Sequence, residues 1–380
     1  MKLPESVRWS ADEESSLDLW LAQVNQRPGV FLIRAREGDP YMGRTSQLKR
    51  RLNRLLGERE QASRMLHLRH LAISAEYWLT PSWLENALVA YTLARRHFPD
   101  SYSKVLRLPR PPYVKLITSN RFPRTQVTAR LGGGSSRYWG PFGTRAVAED
   151  FEKGLLDLFQ VRRCQEDLEP SPNHPGCIYG EMHMCLRPCQ VAVTDAEYAS
   201  EVVRVEEFLA TGGESAAEAV RRSRDRLSEE MQFEEASRQH ARLEKIGSVQ
   251  KLAGDLAADP QKLCGVAVTK GESADAVRLW FVIDGLWRDA REVTLAPGAD
   301  GRPVSLDARL KEIVADVAGG ERPPDRDRQE HLAILSRWFY SDSRDGEWLA
   351  FPAPSQVPWR KLVNAVHRVW QASSVRGERS

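Results

Sequence analysis

Short apolar runs separated by polar turns characterise the first hundred residues. The segments GVFLIRA, which begins at Gly29, and PYMGR are typical of two strands joined by the turn REGDP. A helix is predicted from the capping residue Ser46 to the stop signal Gly57. The strand pattern HLAISAEYWL and the helical pattern SWLENALVAYTLARRHF, ended by Pro99, follow. Together these elements predict a small α/β module within a first domain at residues 1–105.

The pattern upstream of this module predicts another helix. Ser10 precedes ADEESSLDLWLAQV, in which Trp20 and Val24 lie at helical spacing, and Pro28 marks the expected end. We therefore expect Ser10 to be the N-cap of this helix.

The remaining pattern divides the chain into three further parts. Residues 106–192 combine strand patterns with a glycine-rich loop and a helix, and they end in a proline-rich stretch. Residues 193–252 are helical by pattern. Residues 253–380 begin with strand patterns and end with two amphipathic helices. The predicted fold class is therefore α+β and multi-domain, with a C-terminal α+β domain of unknown role.

Charge is distributed unevenly along the chain. The net charge of the 380 residues is only +3, but residues 1–165 hold 27 Lys and Arg against 16 Asp and Glu. The remainder holds 28 Lys and Arg against 36 Asp and Glu. A basic front half indicates a polyanionic partner such as nucleic acid. The alternative is an uneven surface that is merely solvated.

The composition argues against a membrane or secreted protein. No apolar run approaches the roughly 20 residues that a membrane helix needs, and the N-terminus MKLPESVRWSADEESS lacks the apolar core of a signal peptide. We expect a cytoplasmic protein without a membrane partner. In that reducing compartment, grouped cysteines point to metal binding or catalysis rather than to disulfides.

Four of the five cysteines fall within 26 residues of one another: Cys164, Cys177, Cys185 and Cys189. Four thiolates at such spacing can hold one tetrahedral metal ion or an iron–sulfur cluster, and spacing alone does not separate zinc from iron. Unpaired buried cysteines are the alternative. His174 and His183 lie nearby, but four cysteines complete a site without them. Cys264, near the start of a strand pattern, is expected in a core.

The predicted hairpin and its helix resemble the GIY-YIG nuclease module. Gly-Val-Phe is followed ten residues later by Tyr-Met-Gly, and an arginine lies ten residues beyond that tyrosine. In this family the two tripeptides lie on adjacent strands, the next helix brings an arginine to the scissile phosphate, and a glutamate on a later helix holds a divalent metal. The resemblance implies metal-dependent phosphodiester hydrolysis, which needs positive charge near the phosphate and the leaving oxygen.

The resemblance assigns expected roles to single residues. Tyr41 and Arg51 match the family's catalytic tyrosine and arginine, and Glu85 matches the glutamate that would hold Mg²⁺ or Mn²⁺. Arg44 lies where DNA-repair members carry a lysine. Three basic side chains are expected to bind DNA: Arg44, Lys49 and Arg50.

Three positions depart from the family pattern. Phe31 and Leu55 replace tyrosines, and Ser103 falls where an asparagine is expected. Phe31, whose ring we expect beside Tyr41, lacks the hydroxyl that could accept and donate a proton. The loss of such a group costs about 10²–10⁴ in rate. A GIY-YIG endonuclease with weakened activity is therefore expected.

A longer resemblance covers residues 26–250. The segments PPYVKLITSNRFPRTQVTAR, RYWGPFGTRAVAEDFEKGLLDLFQVRRC and CIYGEMHMCLRPC are similar, in this order, to UvrC, the nuclease subunit of bacterial nucleotide excision repair. In that family the cysteine quartet is implied to carry a four-iron four-sulfur cluster. A 4Fe–4S cluster is therefore the expected cofactor, with Zn²⁺ as the alternative.

The helical region carries a further resemblance. FEEA at residues 233–236 resembles the UVR motif, a helical hairpin that pairs with a similar hairpin on UvrB. Phe233, Glu234 and Ala236 are accordingly expected to bind UvrB. Gln239 and His240 stand where the motif usually has Arg-Asp, and packing of the hairpin within its own domain is the alternative.

The last part resembles the strands ahead of the UvrC RNase H-like domain, but the chain stops before that domain. The architecture therefore resembles Cho, the short UvrC homologue that incises only on the 3′ side. This implies incision of damaged double-stranded DNA 3′ to the lesion, with recruitment by UvrB and with UvrA upstream. The alternative is a UvrB- or DNA-binding repair factor that has lost cleavage. An RNA-directed or mobile-element nuclease would leave the cysteine and UVR segments unexplained.

Overall fold

The structure is a computed structural model that describes residues 2–12, 16–58, 66–295 and 305–377. The strands within these ranges are β1 Ser6–Ser10, β2 Gly29–Ala35, β3 Tyr41–Thr45, β4 Ala72–Leu79, β5 Tyr113–Ile117, β6 Arg124–Thr128, β7 Arg137–Trp139, β8 Cys264–Lys270, β9 Ala276–Ile283, β10 Leu286–Trp287, β11 Arg291–Thr294 and β12 Glu347–Phe351.

The α-helices within the same ranges are α1 Leu17–Gln23, α2 Leu48–Leu56, α3 Trp83–His97, α4 Tyr102–Leu106, α5 Arg145–Leu158, α6 Ile178–Glu181, α7 Asp195–Ala210, α8 Glu214–Glu229, α9 Phe233–Ala253, α10 Leu306–Gly319, α11 Arg328–Phe339 and α12 Trp359–Gly377. Short 3₁₀ helices lie at Pro188–Gln190, Asp325–Asp327 and Pro354–Gln356. The fold is therefore mixed α and β, as the sequence pattern predicts. None of the described helices combines the length and apolarity needed to cross a bilayer.

The described chain forms two compact units, and both are discontinuous in sequence. Unit 1 joins Met1–Leu108 with Cys264–Pro323 and Ser341–Ser380. Unit 2 joins Pro109–Leu263 with Pro324–Tyr340. Helix α11, which the sequence pattern assigns to the C-terminal domain, thus belongs to unit 2.

The N-terminal part of unit 1 is built on an antiparallel sheet with the strand order β1-β4-β2-β3, so that β3 is an edge strand. Because side chains alternate along a strand, the sheet buries a different apolar set on each face. Phe31 and Ile33 pack with Leu52 of α2 on one face. Val30 and Leu32 pack with residues of α3 on the other.

The predicted start of the first helix is wrong. Ser10 ends β1, and Ser16 is the N-cap of α1, where its hydroxyl accepts a hydrogen bond from the amide of Asp18. The short segment Ser6–Ser10 pairs with β4 over its whole length. That pairing is non-local, so the acidic residues after Ser10 give a misleading helix-start signal.

The C-terminal part of unit 1 contains a second sheet, with the order β10-β9-β8-β12 and with β11 also paired to β9. Its core includes Val266, Leu279 and Phe281, and helices α10 and α12 pack against it. Cys264 is buried in this core, as predicted.

Unit 2 combines a small sheet, in the order β6-β5-β7, with helices. Phe151 of α5, Phe208 of α7 and Val249 of α9 share one core with the apolar side chains of β5. Helices α8 and α9 pack against each other as an antiparallel hairpin whose tip is residues 230–232. The predicted helical hairpin is therefore present.

Candidate active site and cysteine cluster

Tyr41 and Arg51 are brought together by the connection from β3 to α2. Tyr41 is the first residue of β3, and Arg51 lies one turn into α2. Arg51 Nη2 donates a hydrogen bond to Tyr41 Oη at 2.8 Å. The side chains that the resemblance pairs as catalytic tyrosine and arginine are thus direct neighbours.

Phe31 lies on β2 directly opposite Gly43 of β3. Its side chain is fully buried, and its ring centroid is 6.1 Å from that of Tyr41, the expected neighbour. A Cβ on Gly43 would come within 2.3 Å of Phe31 Cζ. Because real Cβ atoms do not approach so closely, only glycine at position 43 lets the ring lie here.

Glu85 lies in the first turn of α3, whose N-cap Ser82 accepts a hydrogen bond from the Glu85 amide at 3.1 Å. The Glu85 side chain is 0% exposed. Arg278 of β9 donates a hydrogen bond to Oε1, while Oε2 has no hydrogen-bond partner among the described residues. Burial raises the pKa of Glu85 to about 7, and the positive charge of Arg278 opposes this rise.

Arg278 is held between two carboxylates. It also donates to Glu292 Oε2 at 2.6 Å, and Glu292 lies opposite Arg278 in the β9–β11 register. The sequence reasoning did not identify Arg278 as a site residue. A usable signal was present, because Arg278 is the single charged residue in the strand AVRLWFVI.

The basic side chains expected to bind DNA have local partners of different kinds. Arg44 Nε donates to Asn86 Oδ1 at 2.7 Å, and its guanidinium lies 5.5 Å from the ring centroid of Trp83. Lys49 Nζ donates to the carbonyl of Ala22 at 3.0 Å. Arg50 is exposed.

These contacts form two groups at the β3 edge of the sheet. Tyr41 packs on the face that carries α2, and it meets Arg51 there. Arg44 is three positions further along the strand, on the opposite face, where it meets Asn86 beside Glu85. The structure therefore brings Tyr41 together with Arg51, and Arg44 together with Asn86, the sequence neighbour of Glu85.

The fit of a divalent cation to this region rests on Glu85. A carboxylate is a preferred ligand type for Mg²⁺, and Oε2 is a buried oxygen that has no hydrogen bond from any residue that the structure describes. Oε1, however, is already held by Arg278. Among the described residues, no group of three or more His, Cys, Asp and Glu side chains is placed to hold a metal ion. Glu85 thus fits as a single protein ligand whose charge is at present compensated by an arginine.

The four clustered cysteines, Cys164, Cys177, Cys185 and Cys189, line one small cavity in unit 2. Positive charge and amides surround them. The buried Arg162 donates from Nη1 to Cys164 Sγ at 3.7 Å, and the Arg187 amide donates to Cys185 Sγ at 3.4 Å. The donor set suits a thiolate-bound centre, although within the part of the chain that the structure describes no three or more of these thiols are placed to hold a single ion.

The acidities of the buried thiols also depend on this cavity. Burial raises the pKa of Cys185 to about 11, and repulsion from the neighbouring thiols adds to the rise. Burial likewise raises the pKa of Cys189. A bound cationic centre reverses such shifts, because it stabilises the thiolate. His174 Nδ1 accepts a hydrogen bond from the Gly176 amide at 3.0 Å.

The tip of the α8–α9 hairpin presents apolar side chains to solvent. Met231 is 77% exposed and Phe233 is 67% exposed. Glu234 is exposed as well, whereas Ala236 is buried in the hairpin. Of the residues expected to bind a partner, Phe233 and Glu234 are thus accessible, and Ala236 contributes to packing.

Comparison with known proteins gives matches along most of the chain. Residues 112–208 match the middle domain of the UvrC/Cho excinucleases. The UvrABC system protein C of Moorella thermoacetica is 28% identical over 91% of the chain, and that of Methanothermobacter thermautotrophicus is 25% identical over 91%. The protein of the same name from Syntrophomonas wolfei is 26% identical over 94%. No solved structure gives a significant match.

The extent of these matches adds two facts. Because an alignment over 94% of the chain omits only a few per cent of it, the likeness includes most of residues 253–380. The chain spans just over half of the curated relatives' length, namely 56% and 58% for the first two named. The chain is thus similar to UvrABC system protein C over about nine-tenths of its length, and its residues 112–208 match the middle-domain model of the UvrC/Cho excinucleases.

Proposed function

We propose that this protein is a nucleotide excision repair endonuclease of the UvrC and Cho type. It would hydrolyse a phosphodiester bond of damaged double-stranded DNA on the 3′ side of the lesion, with a divalent cation. The observation that carries this proposal is the hydrogen bond between Arg51 of α2 and Tyr41 at the start of β3, the second strand of a GIY-YIG-like hairpin. The likeness to UvrABC system protein C over nine-tenths of the chain supports it.

The side chains of this edge have distinct tasks in the proposed reaction. Arg51 neutralises charge on the phosphate, and its bond to Tyr41 fixes the direction of the guanidinium. The Tyr41 hydroxyl can accept or donate a proton beside the reacting water. Glu85 would hold Mg²⁺ or Mn²⁺, which supplies positive charge for the leaving oxygen.

Two further parts of the chain complete the proposal. The exposed Phe233 at the hairpin tip would dock on a similar hairpin of UvrB, acting downstream of UvrA. The four clustered cysteines would hold a 4Fe–4S cluster. The cluster would stabilise the loop-rich segment around it, because metal ligation contributes folding free energy.

Incision of a site-specifically damaged duplex tests the activity. The protein is incubated with UvrA, UvrB, ATP and Mg²⁺, and the cut position is mapped on each strand. We expect one metal-dependent cut 3′ to the lesion, lost in Glu85→Ala and in Arg51→Ala. Cleavage that persists in Glu85→Ala would place the active site elsewhere.

A second candidate is a UvrB- and DNA-binding repair factor without cleavage. Two observations favour it: Phe31 lacks the family hydroxyl, and Arg278 already occupies the Glu85 carboxylate. Under this alternative the wild-type protein binds UvrB and damaged duplex but never cuts. The incision experiment therefore separates the two candidates.

A further inference from the structure

Glu85 and Arg278 form a buried ion pair between two distant parts of unit 1. They are 193 residues apart in sequence, and their side chains are 0% and 13% exposed. Glu85 belongs to the nuclease-like sheet and its helices, and Arg278 belongs to the second sheet. The second sheet thus places a cation on the carboxylate for which the family resemblance implies a metal.

A guanidinium and a metal ion compete for this carboxylate. Both neutralise the same charge, and a buried carboxylate retains little room for two cations. Among the described residues, the present arrangement also leaves Glu85 Oε2 without a hydrogen-bond partner, although buried polar oxygens are normally hydrogen-bonded. The carboxylate is therefore compensated in charge but incompletely satisfied in hydrogen bonding.

Arg278 has an alternative partner if it leaves Glu85. Its Nη2 already donates to Glu292 Oε2 at 2.6 Å, and Glu292 is the register partner of Arg278. Movement of the arginine away from Glu85 therefore does not leave it without a counter-charge.

A second contact joins the same parts of the chain near Glu85. The carboxylate of Asp345 accepts a hydrogen bond from the amide of Trp83, the first residue of α3. An acidic side chain is stabilised at a helix N-terminus, because the free amides there carry positive partial charge. The segment containing Asp345 and β12 therefore helps to hold the second sheet over the start of α3.

We propose that the second sheet of unit 1 keeps the candidate site closed, with Arg278 in the place of the divalent cation at Glu85. Glu85 binds the cation only after Arg278 has released it and is held by Glu292 alone. This inference rests on the proposed metal-binding role of Glu85. It makes Arg278 a gate for metal binding, and thereby for cleavage.

Metal binding tests the gate without reference to cleavage. Mn²⁺ is titrated into the 380-residue chain, and the loss of the free-ion EPR signal is recorded. The apparent Mn²⁺ affinity equals the affinity of the open site multiplied by the fraction of molecules in which the site is open. Since Arg278→Gln should open the site in most molecules, we expect this variant to bind one Mn²⁺ at least ten-fold more tightly than wild type. The gain should disappear in the double variant Arg278→Gln/Glu85→Gln. Arg291→Gln removes another paired arginine, on β11, and should leave Mn²⁺ affinity unchanged.

Hydrogen exchange of the wild-type protein provides a measurement that does not depend on the variant's stability. At saturating Mn²⁺, amides of residues 276–283 should exchange faster than in its absence. Unchanged exchange while Glu85-dependent Mn²⁺ is bound would overturn the gate, as would equal Mn²⁺ affinity of wild type and Arg278→Gln.

The incision assay separates the two proposals. Tight Mn²⁺ binding by Arg278→Gln without any cleavage supports the gate and contradicts the proposed nuclease activity. Glu85-dependent cleavage, together with an Mn²⁺ affinity that Arg278→Gln leaves unchanged, supports the nuclease activity and contradicts the gate.

Discussion

Phe31 and Gly43 determine the packing beneath Tyr41 in the candidate site. The ring of Phe31 lies against the main chain of Gly43, and no side chain at position 43 would leave room for it. Tyr41, two residues before Gly43, therefore receives an aromatic neighbour of fixed position. At position 31 the protein keeps the packing of a tyrosine ring and lacks its hydroxyl.

Restoring that hydroxyl is expected to increase cleavage. Phe31→Tyr should raise the rate of metal-dependent incision about ten-fold or more, because a positioned proton-transfer group is worth about 10²–10⁴. Single-turnover incision of damaged duplex measures the effect. Phe31→Leu, which stays apolar, serves as the control and should not gain rate. No cleavage by wild type or by Phe31→Tyr under any divalent metal would count against a nuclease.

At the residue scale, sequence spacing predicts local neighbours and misses distant ones. Tyr41 and Arg51 meet because one strand and one helical turn separate them, which the spacing encodes. The partner of Glu85 cannot be predicted from the sequence around Glu85, because Arg278 lies 193 residues away and on another sheet. Local patterns specify helices and strands, whereas a buried ion pair between sheets depends on tertiary packing.

At the element scale, the α8–α9 hairpin offers the cleanest separation of binding from stability. Phe233 is 67% exposed, so Phe233→Ala should leave the free energy of unfolding almost unchanged and should weaken UvrB binding at least ten-fold. Calorimetric titration with UvrB measures the binding. Val203→Ala on α7 removes a similarly exposed apolar side chain and should bind normally. Full-strength binding by Phe233→Ala would remove the UVR interpretation.

The cysteine segment gives a prediction about metal content. Protein purified without oxygen should carry about four irons per chain, and Cys185→Ser or Cys189→Ser should lose them. Cys264→Ser is the matched control, since Cys264 is a buried cysteine of the other unit and should retain the iron. Loss of iron should also increase proteolysis of residues 108–190, because ligation contributes to folding. Stoichiometric zinc without iron would defeat the cluster assignment.

Elements with strong periodicity are predictable from sequence, and short edge elements are not. The helices at residues 48–56 and 145–158 follow apolar patterns of helical period. Strand β1 has only five residues and gains its hydrogen bonds from β4, more than sixty residues later. Its identity therefore depends on a partner that local propensity does not reveal.

At the scale of the whole molecule, the basic front half predicts salt-dependent DNA binding. Each neutralised phosphate contributes about 0.9 to the slope of log affinity against log salt. Joint replacement of Lys49 and Arg50 by alanine should flatten the slope by about one to two units, with Arg50 dominant because Lys49 already donates to Ala22. Fluorescence anisotropy at several salt concentrations measures the slope.

A control for this prediction comes from the acidic rear of the chain. Arg222 and Arg226 of α8 lie near Glu218 and Glu230, and their joint replacement by alanine should leave the slope unchanged. An unchanged slope in the Lys49/Arg50 variant would mean that these two side chains do not face DNA.

The grouping of segments into units is the least predictable property. Composition indicates boundaries near residues 105 and 252, and the chain passes between units after Leu108 and Leu263. Nothing local to residues 264–323 or 341–380 indicates that they rejoin the first hundred residues. Nor does the pattern of α11 reveal that it packs in unit 2. Such returns depend on complementary surfaces far apart in sequence.

Because unit 1 is discontinuous in sequence, its parts are synthesised at different times. The ribosome makes residues 2–108 first, and then all of residues 109–263, before the segment carrying Arg278 emerges. At about 5–20 residues per second, roughly 10–30 s separate the two events. For that interval a nascent chain carries Glu85 without Arg278. The ion pair between Glu85 and Arg278 can thus form only after the first two-thirds of the chain have been synthesised.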